Sequence, residues 1–285
     1  MGIKTKLFGT GLVLGCIVVL VISLFTPKVE VEDVRGSQNL YLPQDIEPSI
    51  AAPIKPFDEE VLTEEETTEP IPEIVPQINF PFETVDLGEM EIIPHQKKTN
   101  KNGSRNWAGM TVTINPNIVP YGTIIYIDGL GFRYNQPGDV TDENAICVYF
   151  AQDEDIEQYR NLVLNTWVVK NEAHIDIISG DIKAENNGTF HLTAYCPCTR
   201  CCDQYGGSPE GKLGAIGTYV YEGTTVASDR NVLPYGTVVY IEGVGIRFVT
   251  DCGGAINHKE IDVYYRSHSE ANEFGNQYHN VWILQ

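Results

Sequence analysis

Positive charge is what this sequence of 285 residues has least of: 19 Lys and Arg stand against 39 Asp and Glu, for a formal net charge of −20. A chain with that balance repels phosphate backbones, which argues against nucleic acid as a partner. Charge of either sign is absent from residues 7–26, LFGTGLVLGCIVVLVISLFT. At ~1.5 Å per residue such a run matches the ~30 Å hydrocarbon core of a bilayer and predicts a transmembrane helix. Lys4 and Lys6 precede it and acidic residues follow, which puts the N-terminus in the cytoplasm and the rest outside. No small-x-small cleavage site follows the run, which predicts a retained anchor over residues 1–27. Apolar residues continue past Gly15-Cys16, so Cys16 reads as a membrane-embedded thiol. The expected location is the cell membrane, single-pass, with the folded domains extracytoplasmic.

Hydrophobic periodicity is what residues 28–95 lack. They hold 17 Asp or Glu against three Lys or Arg, and nine of the 16 prolines. That composition cannot bury a core and predicts a disordered acidic linker. It also supplies most of the net charge, so the acidity belongs to a solvated spacer more than to the folded part.

The remainder contains an internal repeat at a separation of 114 or 115 positions. Residues 117–134 read NIVPYGTIIYIDGLGFRY and residues 231–248 read NVLPYGTVVYIEGVGIRF. Each has a turn, a strand of β-branched and aromatic residues, and a glycine turn. Both copies continue into a second apolar strand, AICVYF at 145–150 and EIDVYY at 260–265, and close on NTWVVK at 165–170 and NVWILQ at 280–285. QDEDIEQYR at 152–160 and SHSEANEFG at 267–275 read as short helices between them. The organisation predicted is a β domain over 96–170, a linker over 171–185 and a second β domain over 186–285.

Three aspartates of the second copy stand in turn or strand contexts: ASDRNVLPYGT (Asp229), VTDCGGAI (Asp251) and KEIDVYY (Asp262). Asp262 interrupts an apolar strand, where a charge costs several kcal/mol unless it is hydrogen-bonded or its pKa rises. The first copy lacks all three. Asn115 aligns with Asp229, Gln136 or Pro137 with Asp251, and Cys147 with Asp262. Aspartate is also a common turn former, which alone would account for Asp229 or Asp251.

TAY at 193–195, AIGT at 215–218, ASDRNVLPYGTVVYIEGVG at 227–245, TDCGGAINHKEIDVYY at 250–265 and the terminal VWIL resemble the 3D domain, a family named for three aspartates. The family includes catalytic barrels of lytic transglycosylases and stationary-phase muralytic proteins of Gram-positive bacteria. The resemblance implies a mainly β fold, a C-terminal six-stranded double-psi β-barrel preceded by a degenerate β-rich copy. It implies peptidoglycan glycan strands as substrate, cleaved between MurNAc and GlcNAc without water to give 1,6-anhydro products. It makes Asp262 the general acid and base, with Asp251 and Asp229 tuning its proton or stabilising developing charge. Thr193, Tyr195 and Thr218 become cleft-lining groups, and Gly236, Gly253 and Gly254 points of close backbone approach to sugar. Asn257-His258 departs from the family, where Lys-Gly is frequent. No cofactor is implied.

Cys196, Cys198, Cys201 and Cys202 fall within CPCTRCC, and Cys252 adjoins Asp251. Short thiol spacing suits disulfides or zinc, and an extracytoplasmic setting favours disulfides. Neither His258 nor His268 has a partner at metal-ligand spacing. Two other functions fit the same residues: a wall-binding or regulatory module that holds glycan uncut, and a hydrolytic muramidase on the same fold.

Overall fold

The computed structural model describes residues 78–139 and 142–285. The expected transmembrane helix and most of the acidic linker lie outside the described residues. Among the described residues no helix is long and apolar enough to cross a membrane.

The repeat folds as two closed six-stranded barrels. The first uses β1 (Thr84–His95), β2 (Thr111–Thr113), β3 (Ile124–Ile127), β4 (Gly131–Asn135), β5 (Ala145–Tyr149) and β6 (Val163–Val169), with α1 (Asp153–Tyr159) before the last strand. Its strand order is β1-β5-β2-β4-β3-β6. The second uses β7 (Ala184–Tyr195), β8 (Thr225–Ser228), β9 (Val238–Ile241), β10 (Gly245–Asp251), β11 (Glu260–Tyr264) and β12 (Gln277–Leu284). Short helices α2 (Thr199–Cys202) and α3 (His268–Phe274) follow β7 and β11. Beginning at β7 the order is β7-β11-β8-β10-β9-β12, the first barrel's order repeated. In each barrel two pairs are parallel, β1·β5 and β2·β4 in one, β7·β11 and β8·β10 in the other.

The PYGT turns lead into β3 and β9 in the two copies. Gly122 and Gly236 sit at φ +84° and +89°, in the left-handed region that only glycine enters cheaply. At Gly122 a Cβ would also lie 2.6 Å from the Tyr221 ring. Each glycine-turn strand buries an arginine, Arg133 and Arg247, whose Nη1 donates to Phe132 O and Ile246 O. Burial draws both guanidinium groups down to a pKa of about 10.

Two domain boundaries are corrected. The first barrel begins at Thr84, so β1 falls inside the stretch 28–95 expected to be disordered; its inward Met90 and Ile92 are buried, while outward acidic residues disguise it. Residues 171–183 are also not a free linker. Ile177 and Ile182 are buried in an apolar cluster with Phe82, Phe132, Tyr240 and Ile246, and the Asn171 amide donates to Gly223 O and Ile246 O.

That cluster joins the barrels, Tyr134 and Met110 of one packing with Phe248 of the other. Hydrogen bonds cross the same seam: Arg105 N to Gly217 O at 2.7 Å, and Trp107 Nε1 to Ile216 O at 3.1 Å.

Candidate active site

Strand alternation decides which side chains of the second barrel can act. Ile261 and Val263 of β11 enter the barrel core with Val226, Leu192 and Val249, so Asp262 between them takes the outer face. It therefore follows the alternation of its strand, on the face opposite the core. The parallel register opposes Asp262 to Thr193 and Tyr264 to Tyr195, and the antiparallel one opposes Asp262 to Ala227. Tyr195, Tyr264, Ala227 and Val220 form a small apolar cluster on this face. A carboxyl among them is poorly hydrated.

Thr193 Oγ1 donates to Asp262 Oδ1 at 2.8 Å. Burial raises the Asp262 pKa to about 6 against the Thr193 bond, and the charge of Asp251 adds to the rise. Asp251, the last residue of β10, accepts from Tyr195 Oη at 2.7 Å through Oδ2. Its Oδ1 accepts from the backbone N–H of Ala215 and of Cys252, both at 2.9 Å. Burial first, then Asp251, pushes the Tyr195 phenol far above its usual value, so it stays a donor.

Asp251, Asp262, Tyr195, Gly253 and Gly254 line one cleft of about 920 Å³, together with residues 201–205 and 212–215. This brings two of the three predicted aspartates together. Asp229 is not among the lining residues. Its Oδ1 accepts from Asn231 N at 2.9 Å and its Oδ2 from His258 N at 2.8 Å, and these backbone bonds hold its carboxyl below the usual range. His258 has φ +55°, in the left-handed region that favours glycine. Asp229 thus fastens the loop that carries Gly253 and Gly254.

Three expected substrate contacts are not among the lining residues, and one of them, Thr193, serves instead as the donor to Asp262. Thr218 is fully buried beside Tyr134 of the first barrel, in the seam between barrels. Gly236 is absent from the cleft and serves its turn. The cleft also uses groups that no sequence motif marks, among them Tyr205, Lys212 and Gly214. A backbone donor such as Ala215 N leaves no residue-type signal.

The disulfides expected in CPCTRCC are not formed. Cys196 and Cys201 are thiols with Sγ atoms 3.7 Å apart, far beyond the ~2.05 Å of a bond. Cys252 is an exposed thiol.

A small closed barrel bearing a half-buried, protonatable carboxyl beside a second carboxylate in an open cleft defines the class of site. The model of the 3D domain family matches residues 224–285, within the second barrel. The cell wall-binding protein YocH of Bacillus subtilis is 42% identical over 59 residues, 21% of this chain and 21% of that protein. The chain thus spans about a fifth of that relative's length. Among solved structures, lytic transglycosylase MltA of Escherichia coli is similar at 28% identity and a TM-score of 0.24, over 26% of this chain and 27% of that one. MltA with bound chitohexaose is similar at 15% identity and a TM-score of 0.24, over 47% and 35%.

Proposed function

We propose that the second barrel is a peptidoglycan lytic transglycosylase with Asp262 as its acid and base. The observation that carries this reading is the state of Asp262, a carboxyl whose pKa burial raises to about 6, at the wall of a cleft of about 920 Å³. The proton of Asp262 passes to the oxygen between MurNAc and GlcNAc as the C1–O bond breaks. The carboxylate left behind takes the proton of the MurNAc 6-hydroxyl while that oxygen attacks C1. A 1,6-anhydro ring forms, Asp262 is protonated again, and no water is consumed. Asp251 supplies negative charge beside the developing cation, and Thr193 and Tyr195 orient the two carboxyl groups. The interlocked parallel strand pairs fit the double-psi form of barrel. In this reading the run 7–26 anchors the chain in the cytoplasmic membrane and residues 28–77 space the barrels from it toward the wall.

Digestion of purified peptidoglycan by the full-length chain tests it, with muropeptides read by mass spectrometry. Anhydro products are expected from the unmodified chain, and about 10²–10⁴-fold less from Asp262→Asn, the range a general acid contributes. Reducing-end products would indicate hydrolysis. Retained wall binding without release would indicate a binding module, the reading favoured by the cell wall-binding name of the relative.

A further inference from the structure

We propose that Cys196, Cys198, Cys201 and His268 hold one structural zinc ion, independently of whether the barrel cuts glycan. The four ligand atoms lie within 4.8 Å of one another. Nδ1 of His268 is 3.7 Å from Cys196 Sγ, 3.6 Å from Cys198 Sγ and 3.4 Å from Cys201 Sγ, and Cys196 and Cys201 Sγ are 3.7 Å apart. Around a tetrahedral zinc, with Zn–S of ~2.3 Å and Zn–N of ~2.05 Å, S···S edges measure about 3.8 Å and S···N edges about 3.5 Å. The four atoms thus stand at the corners that zinc would occupy from within.

Chemistry points the same way. Three thiols and an imidazole are a soft donor set that suits zinc and rejects magnesium or calcium. Disulfide pairing would leave one thiol over and the imidazole without a role. The other nearby cysteines are turned elsewhere: Cys202 Sγ faces Cys196 O at 3.3 Å, and Cys252 lies beside Tyr235. Four protein ligands close the coordination shell, so the ion is structural and takes no part in chemistry.

The position gives the ion a task. Cys196 directly follows β7 and His268 opens α3 after β11, the parallel pair that carries Thr193 and Asp262. The cysteines belong to an insertion. From the end of β7 to the bridge at Leu213 the chain takes residues 196–212, whereas the first barrel crosses from β1 to the matching bridge at Thr99 with residues 96–98 alone. A zinc ion would pin this insertion to both strand ends and so shape the cleft wall that Cys201, Cys202 and Tyr205 supply. The cysteine cluster lies outside the segment matched by the 3D domain, 224–285.

The test is metal analysis by mass spectrometry of the full-length chain, purified under reductant without chelator. One zinc per chain is expected, retained in Cys252→Ser and in His268→Cys, which keeps a ligand, and lost in His268→Ala and Cys201→Ser. Cobalt exchanged into the site is expected to give thiolate charge-transfer absorption and the strong visible bands of a tetrahedral ion. Substoichiometric zinc, an equal content in His268→Ala, another metal at full occupancy, or a disulfide among these cysteines in the reductant-free protein would each overturn the proposal. If His268→Ala does not fold, the cobalt spectrum of the unmodified chain and the His268→Cys result still decide it.

Discussion

The two barrels share strand order, PYGT turns and a buried arginine, and they differ where the outer face of the β1/β5 or β7/β11 pair is concerned. Register places Ile93 of β1 where Thr193 stands, His95 where Tyr195 stands and Cys147 where Asp262 stands. Pro137 occupies the place of Asp251. The cleft is filled as well as disarmed: the Asn100 amide donates to Ser104 Oγ, Asn106 Oδ1 and Pro137 O, where the second barrel has Gly214 beside the Asp251 carboxylate. Thr113 opposes Cys147, whereas small Ala227 opposes Asp262. A barrel's core and its outer cleft are thus separable. Residues that enter the barrel are kept in both copies because packing demands it, while the acid, its hydrogen-bond partner and the open space vanish together.

The largest effects fall on Asp262. Its pKa of about 6 in the fold lies above its ordinary 3.8, so folding favours the proton. The charged form costs stability above about pH 6, and the cost disappears below 3.8. At ~1.4 kcal/mol per pH unit the gap sets an upper limit of about 3 kcal/mol, lowered by partial exposure. Asp262→Asn, which keeps an acceptor for Thr193, is therefore expected to abolish most cleavage yet stabilise the chain at about pH 7.5, by at most that amount, with the gain gone by about pH 4. Denaturant titrations at the two pH values measure this. A variant less stable than its parent at the higher pH would mean that the carboxylate is a structural anchor, as the Asn135 side chain is in the first barrel, where it bonds both the N–H and the C=O of Ile114.

Asp251→Asn comes next. Removing its charge takes away the smaller of the two influences that raise Asp262, so the alkaline fall of the pH–rate profile moves to lower pH. An amide accepts at one end only, so either the Tyr195 bond or the Ala215 N bond is lost, the cleft loosens, and a small misplacement of reacting groups can cost up to ~10²-fold. About a tenfold loss at neutral pH is expected. A loss equal at every pH would assign Asp251 to structure alone.

Much of this comparison is legible in the sequence. The repeat, the strands β3, β5 and β6 with their counterparts β9, β11 and β12, and the helices α1 and α3 follow from alternation and turn chemistry, and the missing carboxylates of the first copy follow from alignment. What sequence withholds is what depends on a third dimension. β1 is hidden because Asp86, Glu89 and Glu91 dress its outer face like the acidic stretch before it, and without β1 the exchange of Thr193 for Ile93 cannot be seen. Thr218 reads as a cleft residue until the second barrel is set against the first. His268 stands 67 positions from Cys201, and only the parallel pairing of β7 with β11 brings them together.

The smallest effect is expected at Asp229. Asn115 of the first barrel reproduces its turn, accepting from Asn117 N as Asp229 accepts from Asn231 N. Asn115 therefore shows that the turn tolerates an amide, and Asp229→Asn should leave the fold intact. What the amide cannot do is accept at both ends, so the bond to His258 N is weakened and the loop bearing Gly253 and Gly254 loosens. Loss of this one solvent-exposed hydrogen bond is expected to lower kcat/KM by roughly fivefold. Muropeptide release measured beside Asp262→Asn separates the two roles: a fivefold loss keeps Asp229 as a loop fastener, whereas a loss matching that of Asp262→Asn would return it to the chemistry and require the loop to carry it into the cleft when glycan binds.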